Sequence, residues 1–155
     1  DTNGRVLSIT GRNADNVVTS TRLFNYSDPD LIEEVNSTYN ASGVITSGYT
    51  VFKKIENGNL VKYNFSEYQL DTYYYDSNEN IFSNLNSLNE LVLYYSNDKI
   101  GKNNRVTSVS NFYFNGTLNI TRTYQYINQY DSNKIIKRSV LNSGTEEYRE
   151  LFTYN

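Results

Sequence analysis

Four residue types are missing from the 155-residue chain: cysteine, histidine, methionine and tryptophan. Without thiol or imidazole there is no disulfide, no Cys/His zinc site, no cysteine nucleophile and no His-based triad. Proline occurs once, at Pro29. No apolar run approaches the roughly 20 residues that cross a bilayer as a helix. Charge is nearly balanced too: 14 Lys and Arg against 17 Asp and Glu leave a net −3, which argues against nucleic acid as the main partner. The chain opens at Asp1 with no Met, no basic segment and no apolar stretch, so the expectation is a mature or trimmed piece whose signal segment is gone.

What is abundant is Tyr (16), Phe (7) and Asn (24). Period-2 alternation runs through most of the chain, which is the signature of half-buried strands. Val106, Ser108, Ser110, Phe112 and Phe114 fall on one face of one run. Leu118, Ile120, Arg122, Tyr124 and Tyr126 fall on one face of the next. Segments 4–10, 16–26, 43–55 and 59–70 read as strands rich in Val, Ile, Thr, Tyr and Phe. Asn115-Gly116 between two runs is a two-residue hairpin signal, because both turn positions need φ > 0. It predicts Phe114 opposite Thr117 and Phe112 opposite Asn119. Asn57-Gly58 predicts a second hairpin, and Pro29 in Ser-Asp-Pro-Asp fits a turn.

One segment departs from this pattern. Apolar residues at 85, 88, 91, 92 and 95 follow a helical stripe, so a short helix is expected over 83–96, burying Leu88, Leu91, Val92 and Tyr95. The expected fold is therefore one all-β domain over 1–155. It is a long, curved antiparallel meander of eight to ten strands, open or barrel-like, with one short α-helix.

A weak repeat underlies the meander. Tyr75-Asp76-Ser77-Asn78 recurs as Tyr130-Asp131-Ser132-Asn133, Tyr26-Ser27-Asp28-Pro29 has related spacing, and Arg5-Val6-Leu7-Ser8-Ile9 matches Arg105-Val106-Thr107-Ser108-Val109. The unit reads as strand, Tyr-Asp turn, strand, with Asx side chains bonding the backbone two residues on. On these residues the chain resembles YD-repeat-like surface proteins, and more closely a group of Bacteroidota lipoproteins of unknown function with a porin-like fold. Where that group usually has Asn-Pro-Phe before its helix, this chain has Asn80-Ile81-Phe82. The resemblance implies an exported protein at the cell surface or in the periplasm, lipid-anchored in its precursor. It implies no catalytic residue.

Carboxylates are the remaining acid–base groups. Asp28 and Asp30 flank Pro29, while Glu33-Glu34 and Glu146-Glu147 are neighbours that a strand would turn to opposite faces, away from any one scissile bond. Asp76-x-Asn78-x-Asn80 opens like a calcium loop but has Ile81 and Ser87 where Gly and Glu belong, which favours an Asx turn over a metal. No cofactor or metal is expected. Tyr supplies large contact area with a polar tip, so Tyr73, Tyr74, Tyr75, Tyr124 and Tyr126 are the candidate binding residues. The same rings serve equally well as cross-strand packing. Two functions follow. One is a non-catalytic surface or periplasmic binding or scaffold module for an envelope protein or glycan, meeting a membrane only through an N-terminal anchor. The other is a carbohydrate-binding or glycan-processing protein built on Tyr platforms.

Overall fold

The computed structural model describes residues 2, 5–65, 67–80, 102–132 and 134–153. They form a single ten-stranded antiparallel sheet in which every strand pairs with its neighbours in sequence. The strands are β1 (Ser8–Arg12), β2 (Val18–Asp28), β3 (Leu31–Tyr39), β4 (Ile45–Glu56), β5 (Asn59–Phe65), β6 (Gln69–Glu79), β7 (Asn103–Phe114), β8 (Thr117–Asp131), β9 (Lys134–Asn142) and β10 (Thr145–Leu151). The sheet is not closed: β1 and β10 each pair on one side only, so the meander is the open form and not the barrel. The described residues contain no helix, and the helix expected over 83–96 lies outside them.

Turn chemistry sets the register. Asn57-Gly58 (φ 51° and 79°), Asn115-Gly116 (50° and 72°) and Ser143-Gly144 (50° and 86°) are two-residue turns with φ > 0 at both positions. That geometry matches the right-handed twist of the flanking strands. Phe114 pairs with Thr117 as expected, but Phe112 pairs with Ile120 and not with Asn119. A bulge takes up the extra residue. Leu118, opposite Tyr113, therefore sits on the other face from Ile120, which corrects the single-face reading of β8. The 59–70 segment is also two strands. The chain turns at Glu67–Tyr68, where Tyr68 N–H bonds Phe65 C=O at 3.3 Å. No Gly, Pro or Asn marks that turn, so the apolar alternation ran through it.

The Tyr-Asp repeat has two structural forms. Tyr130-Asp131 leads into the β8–β9 turn, with Ser132 at φ 48°. Tyr75-Asp76 instead lies in the irregular end of β6, where the register slips between Tyr75 and Glu79. The Asx bond is present there all the same: Asn78 N–H donates to Asp76 Oδ1 at 2.9 Å.

Two apolar clusters gather at the end of the strands near the turns at 29–30 and 57–58. Phe24 and Ile32 pack with Val6, Ile9, Tyr26 and Ile55, and Leu60 and Tyr73 pack with Ile55, Tyr63 and Tyr75. Gly116→Val is expected to lower stability by about 1–2 kcal/mol, because a β-branched residue at φ 72° is strained even in open space. A thermal melt identical to the parent's would contradict this turn geometry.

Candidate functional site

Pairing fixes which side chains share a face. Phe24, Glu34 and Val51 are direct partners across β2, β3 and β4, and Leu23, Val35 and Thr50 are partners on the opposite face. The first set faces inward and is buried; the second is the outer face. The inner face is unusual in holding charge. Glu34, Lys53, Asp71, Arg105 and Arg138 are all at most 6% exposed.

Each of these ions is held by neighbours on its own or an adjacent strand. Arg22 Nε donates to Glu34 Oε1 and Lys53 Nζ to Glu34 Oε2, both at 2.7 Å. Burial pushes the Glu34 carboxyl up, but the bonds and charges of Arg22 and Lys53 together outweigh it, and the net shift is downward. Asp71 accepts bonds from Gln69 Nε2 and Tyr73 OH at 3.0 Å. The Arg105 guanidinium lies 4.0 Å from the Tyr73 ring centre and 5.7 Å from that of Tyr126, within cation–π range. Arg138 Nε donates to Asn128 Oδ1 at 3.0 Å, and its other nitrogens reach Glu150 and Asn104 at 3.4 and 3.5 Å. Asn104, fully buried, donates in turn to Glu79 C=O at 3.0 Å. Glu34 is thus neutralised by Arg22 and Lys53, while amides, hydroxyls and ring faces surround Asp71, Arg105 and Arg138, inside a sheet where an isolated ion would cost several kcal/mol.

The five candidate tyrosines divide between the faces. Tyr73 and Tyr126 are buried on either side of Arg105, and Tyr126 OH lies 3.3 Å from Ser108 Oγ. Tyr75 is half-buried and donates to Leu60 C=O at 2.7 Å. Tyr124 is half-buried opposite Ser108 and Asn142. Only Tyr74, 54% exposed, stands on the outer face. There it shares a surface of Thr, Ser and Asn with Leu23, Val35, Phe52 and Ile127, none of which alternation alone marks as outward. The signal was available in the parity of the charges: Glu34 alternates with Ile32, Lys53 with Val51 and Asp71 with Tyr73. The acids and bases therefore share the buried parity and push the neighbouring apolar residues out.

Asp76 accepts a bond from Tyr130 OH, and Asp30 N–H donates to Asp28 Oδ1 at 2.9 Å, so both Asp segments act as Asx turns. Among the described residues no three acidic side chains gather as a metal site would need. A shallow depression of about 250 Å³ lies beside the β5–β6 turn, lined by Asn64, Glu67, Gln69, Leu70, Tyr113 and Gly116.

Burial leaves a titration signature. Burial first, then the charge of Glu34, raises Tyr63 to about 12. Tyr130 also rises to about 12 through burial and its bond to Asp76, and Tyr73 is raised further by burial and Asp71. A folded-state pKa above the unfolded value of about 10 gives stability that is complete below pH 10 and lost as pH climbs through 12. An ultraviolet tyrosinate titration should therefore show a late group that ionises only beyond about pH 12 or on unfolding. One wave near pH 10 for all tyrosines would contradict these environments.

No protein-family model, no curated protein and no solved structure matches this chain.

Proposed function

We propose that this domain is a non-catalytic binding or scaffold module that works through the outer face of its sheet. The observation that carries the reading is the division of labour between the faces. The buried ionic groups are engaged by ionic, polar and ring partners inside, whereas Leu23, Val35, Phe52, Tyr74 and Ile127 stand 36–54% exposed outside. Leu23 pairs with Val35, and Phe52 is diagonal to Val35 across β3 and β4, so three of them form one patch. Apolar and aromatic groups set among hydroxyls and amides suit polar, adaptable contacts. The resemblance to Bacteroidota surface lipoproteins adds the setting: export, an N-terminal lipid anchor in the precursor, and an envelope protein as partner.

The test is retention of envelope proteins on the immobilised domain, beside a broad hydrolase and glycosidase screen. Retention lost in a Leu23→Ser, Phe52→Ser double variant of unchanged melting temperature is the expected result. Turnover abolished by a single Asp or Glu substitution would overturn the reading. The glycan alternative is supported by the depression at Asn64, Gln69 and Tyr113, where amides lie beside an aromatic ring. Under it, a glycan array gives hits that Tyr113→Ala weakens by roughly 1–2 kcal/mol, as for other ring-face contacts.

A further inference from the structure

Two hairpins overshoot their neighbours at the end of the sheet away from the core. The pairing of β4 with β5 stops at Val51, so among the described residues the six residues 45–50 pair only with β3. The pairing of β8 with β9 stops at Tyr124, so among the described residues the seven residues 117–123 pair only with β7. Both free edges are about 20 Å long at about 3.3 Å per residue.

The backbone groups along these edges can be assigned. Tyr113 N–H bonds Tyr68 C=O at 2.8 Å, so residue 113 turns toward β6. Alternate residues then turn the other way. By the register, Leu118, Thr121 and Thr123 present their N–H and C=O to the free side of β8. Ile55 N–H bonds Asp30 C=O, and the same alternation leaves Gly48 and Thr50 presenting theirs on β4, up to the bulge at Thr46.

Charged guards are sparse on these two edges: Arg122 is the one charged residue within 45–50 and 117–123, and a bulge interrupts each edge, at Thr46 and at Asn119. No Asp, Glu, Lys or Arg occurs from 35 to 52 or from 106 to 121, in a chain that is 20% charged. The outermost strand β10, by contrast, holds Glu146, Glu147, Arg149 and Glu150. Exposed apolar residues concentrate on the overshooting hairpins instead: Val44, Ile45, Tyr49, Phe114, Leu118 and Ile120 are 42–70% exposed.

Between the two hairpins, β5 and β6 stop short at their turn. The notch is two strands wide, about 14 Å from β4 to β7 at a strand spacing of about 4.8 Å. Its β4 wall is the six-residue edge, whereas β6 covers β7 as far as Tyr113, so its β7 wall is only Phe114 and the hairpin turn. The geometry points to a second copy of this chain as the occupant, joined by mutual insertion of hairpins. Rotating a copy by 180° about the sheet normal brings its two-stranded β7–β8 hairpin, tip first, into the two-stranded notch. The strand order across the join is then β3, β4, β8 of the second copy, β7 of the second copy, β7, β8, β4 of the second copy, β3 of the second copy. Every contact in that order is antiparallel and keeps the inner faces on one side, the two β7 strands meeting only at their hairpin tips. The six-residue edge of β4 meets the seven-residue edge of β8 twice, once on each side of the two-fold axis. Such an interface is closed and self-complementary, so it ends at a dimer. It covers the sparsely charged hairpins and leaves the outer-face patch around Leu23 and Phe52 open.

Sedimentation velocity on the pure chain, from micromolar to near-millimolar concentration, tests this. A doubling of mass with rising concentration is expected. Thr121→Pro should hold the protein at the monomer mass, since the N–H it removes faces the free edge and makes no ladder bond among the described residues. Leu151→Lys, on the β10 edge, should dimerise like the parent. A parent that stays monomeric throughout, or a Thr121→Pro variant that still dimerises, overturns the proposal. Hydrogen exchange on the parent alone gives a second reading should the proline variant fail to fold. The amides of Gly48, Thr50, Leu118, Thr121 and Thr123 should slow together as concentration rises, and exchange that ignores concentration counts against the dimer. A monomer that still retains envelope proteins would remove the dimer and leave the proposed function standing.

Discussion

Glu34→Gln is expected to destabilise the fold by about 3–5 kcal/mol, because it strands the charge of Lys53 inside the sheet. The Glu34 and Lys53 side chains are each 6% exposed and Arg22 17%, so solvent cannot replace the lost carboxylate. A neutral amide still fills the space but supplies no counter-charge. The Glu34→Met, Lys53→Met pair should recover most of the loss, since two apolar side chains of similar volume need no partner. The acid limb of the stability curve carries the same information. The Glu34 pKa is depressed in the fold, so its contribution is complete above the unfolded value and disappears as pH falls through the folded one. Urea denaturation measures both effects. A loss below about 1 kcal/mol for Glu34→Gln would mean that water reaches the cluster and the pair behaves as a surface salt bridge.

Leu60→Ala should cost about 2–5 kcal/mol, the range for deleting a large aliphatic side chain from a packed interior. Leu60 is fully buried, and it joins Tyr73 to Ile55, Tyr63 and Tyr75 where the strands of both halves of the meander meet. Its carbonyl also takes the Tyr75 hydroxyl, so loss of packing loosens a hydrogen bond as well. Leu151→Ala, at a site 74% exposed, is the control and should stay within about 0.5 kcal/mol of the parent. Equal effects at the two sites would place the core elsewhere.

Much of this architecture was legible in the sequence because its cause is local. Asn57-Gly58 and Asn115-Gly116 each specify φ > 0 twice, and period-2 alternation is a property of one strand at a time. What escaped depends on neighbours. The bulge at Asn119 arises from how β7 and β8 twist together, and it moved Leu118 to the other face. The turn at Glu67–Tyr68 is set by contact with Tyr113 and not by turn residues. The location of charge was the largest surprise. A charged residue taken alone gives no sign of burial, and only the register across β2, β3 and β4 shows Arg22, Glu34 and Lys53 in one cluster. The candidate tyrosines were chosen by type, and type cannot separate Tyr73, which packs against Arg105, from Tyr74 one residue later on the outer face.

The central claim is that the buried ionic row is architecture and the outer face is where the protein meets its partner. A binding isotherm for retained envelope protein, measured on three proteins of matched folding, addresses it directly: the parent, the Leu23→Ser, Phe52→Ser variant and the Glu34→Met, Lys53→Met variant. The account predicts that the outer-face variant loses affinity at least tenfold, about 1.4 kcal/mol, while the buried-row variant binds like the parent. Binding that survives the outer-face changes and disappears with the buried pair would contradict it.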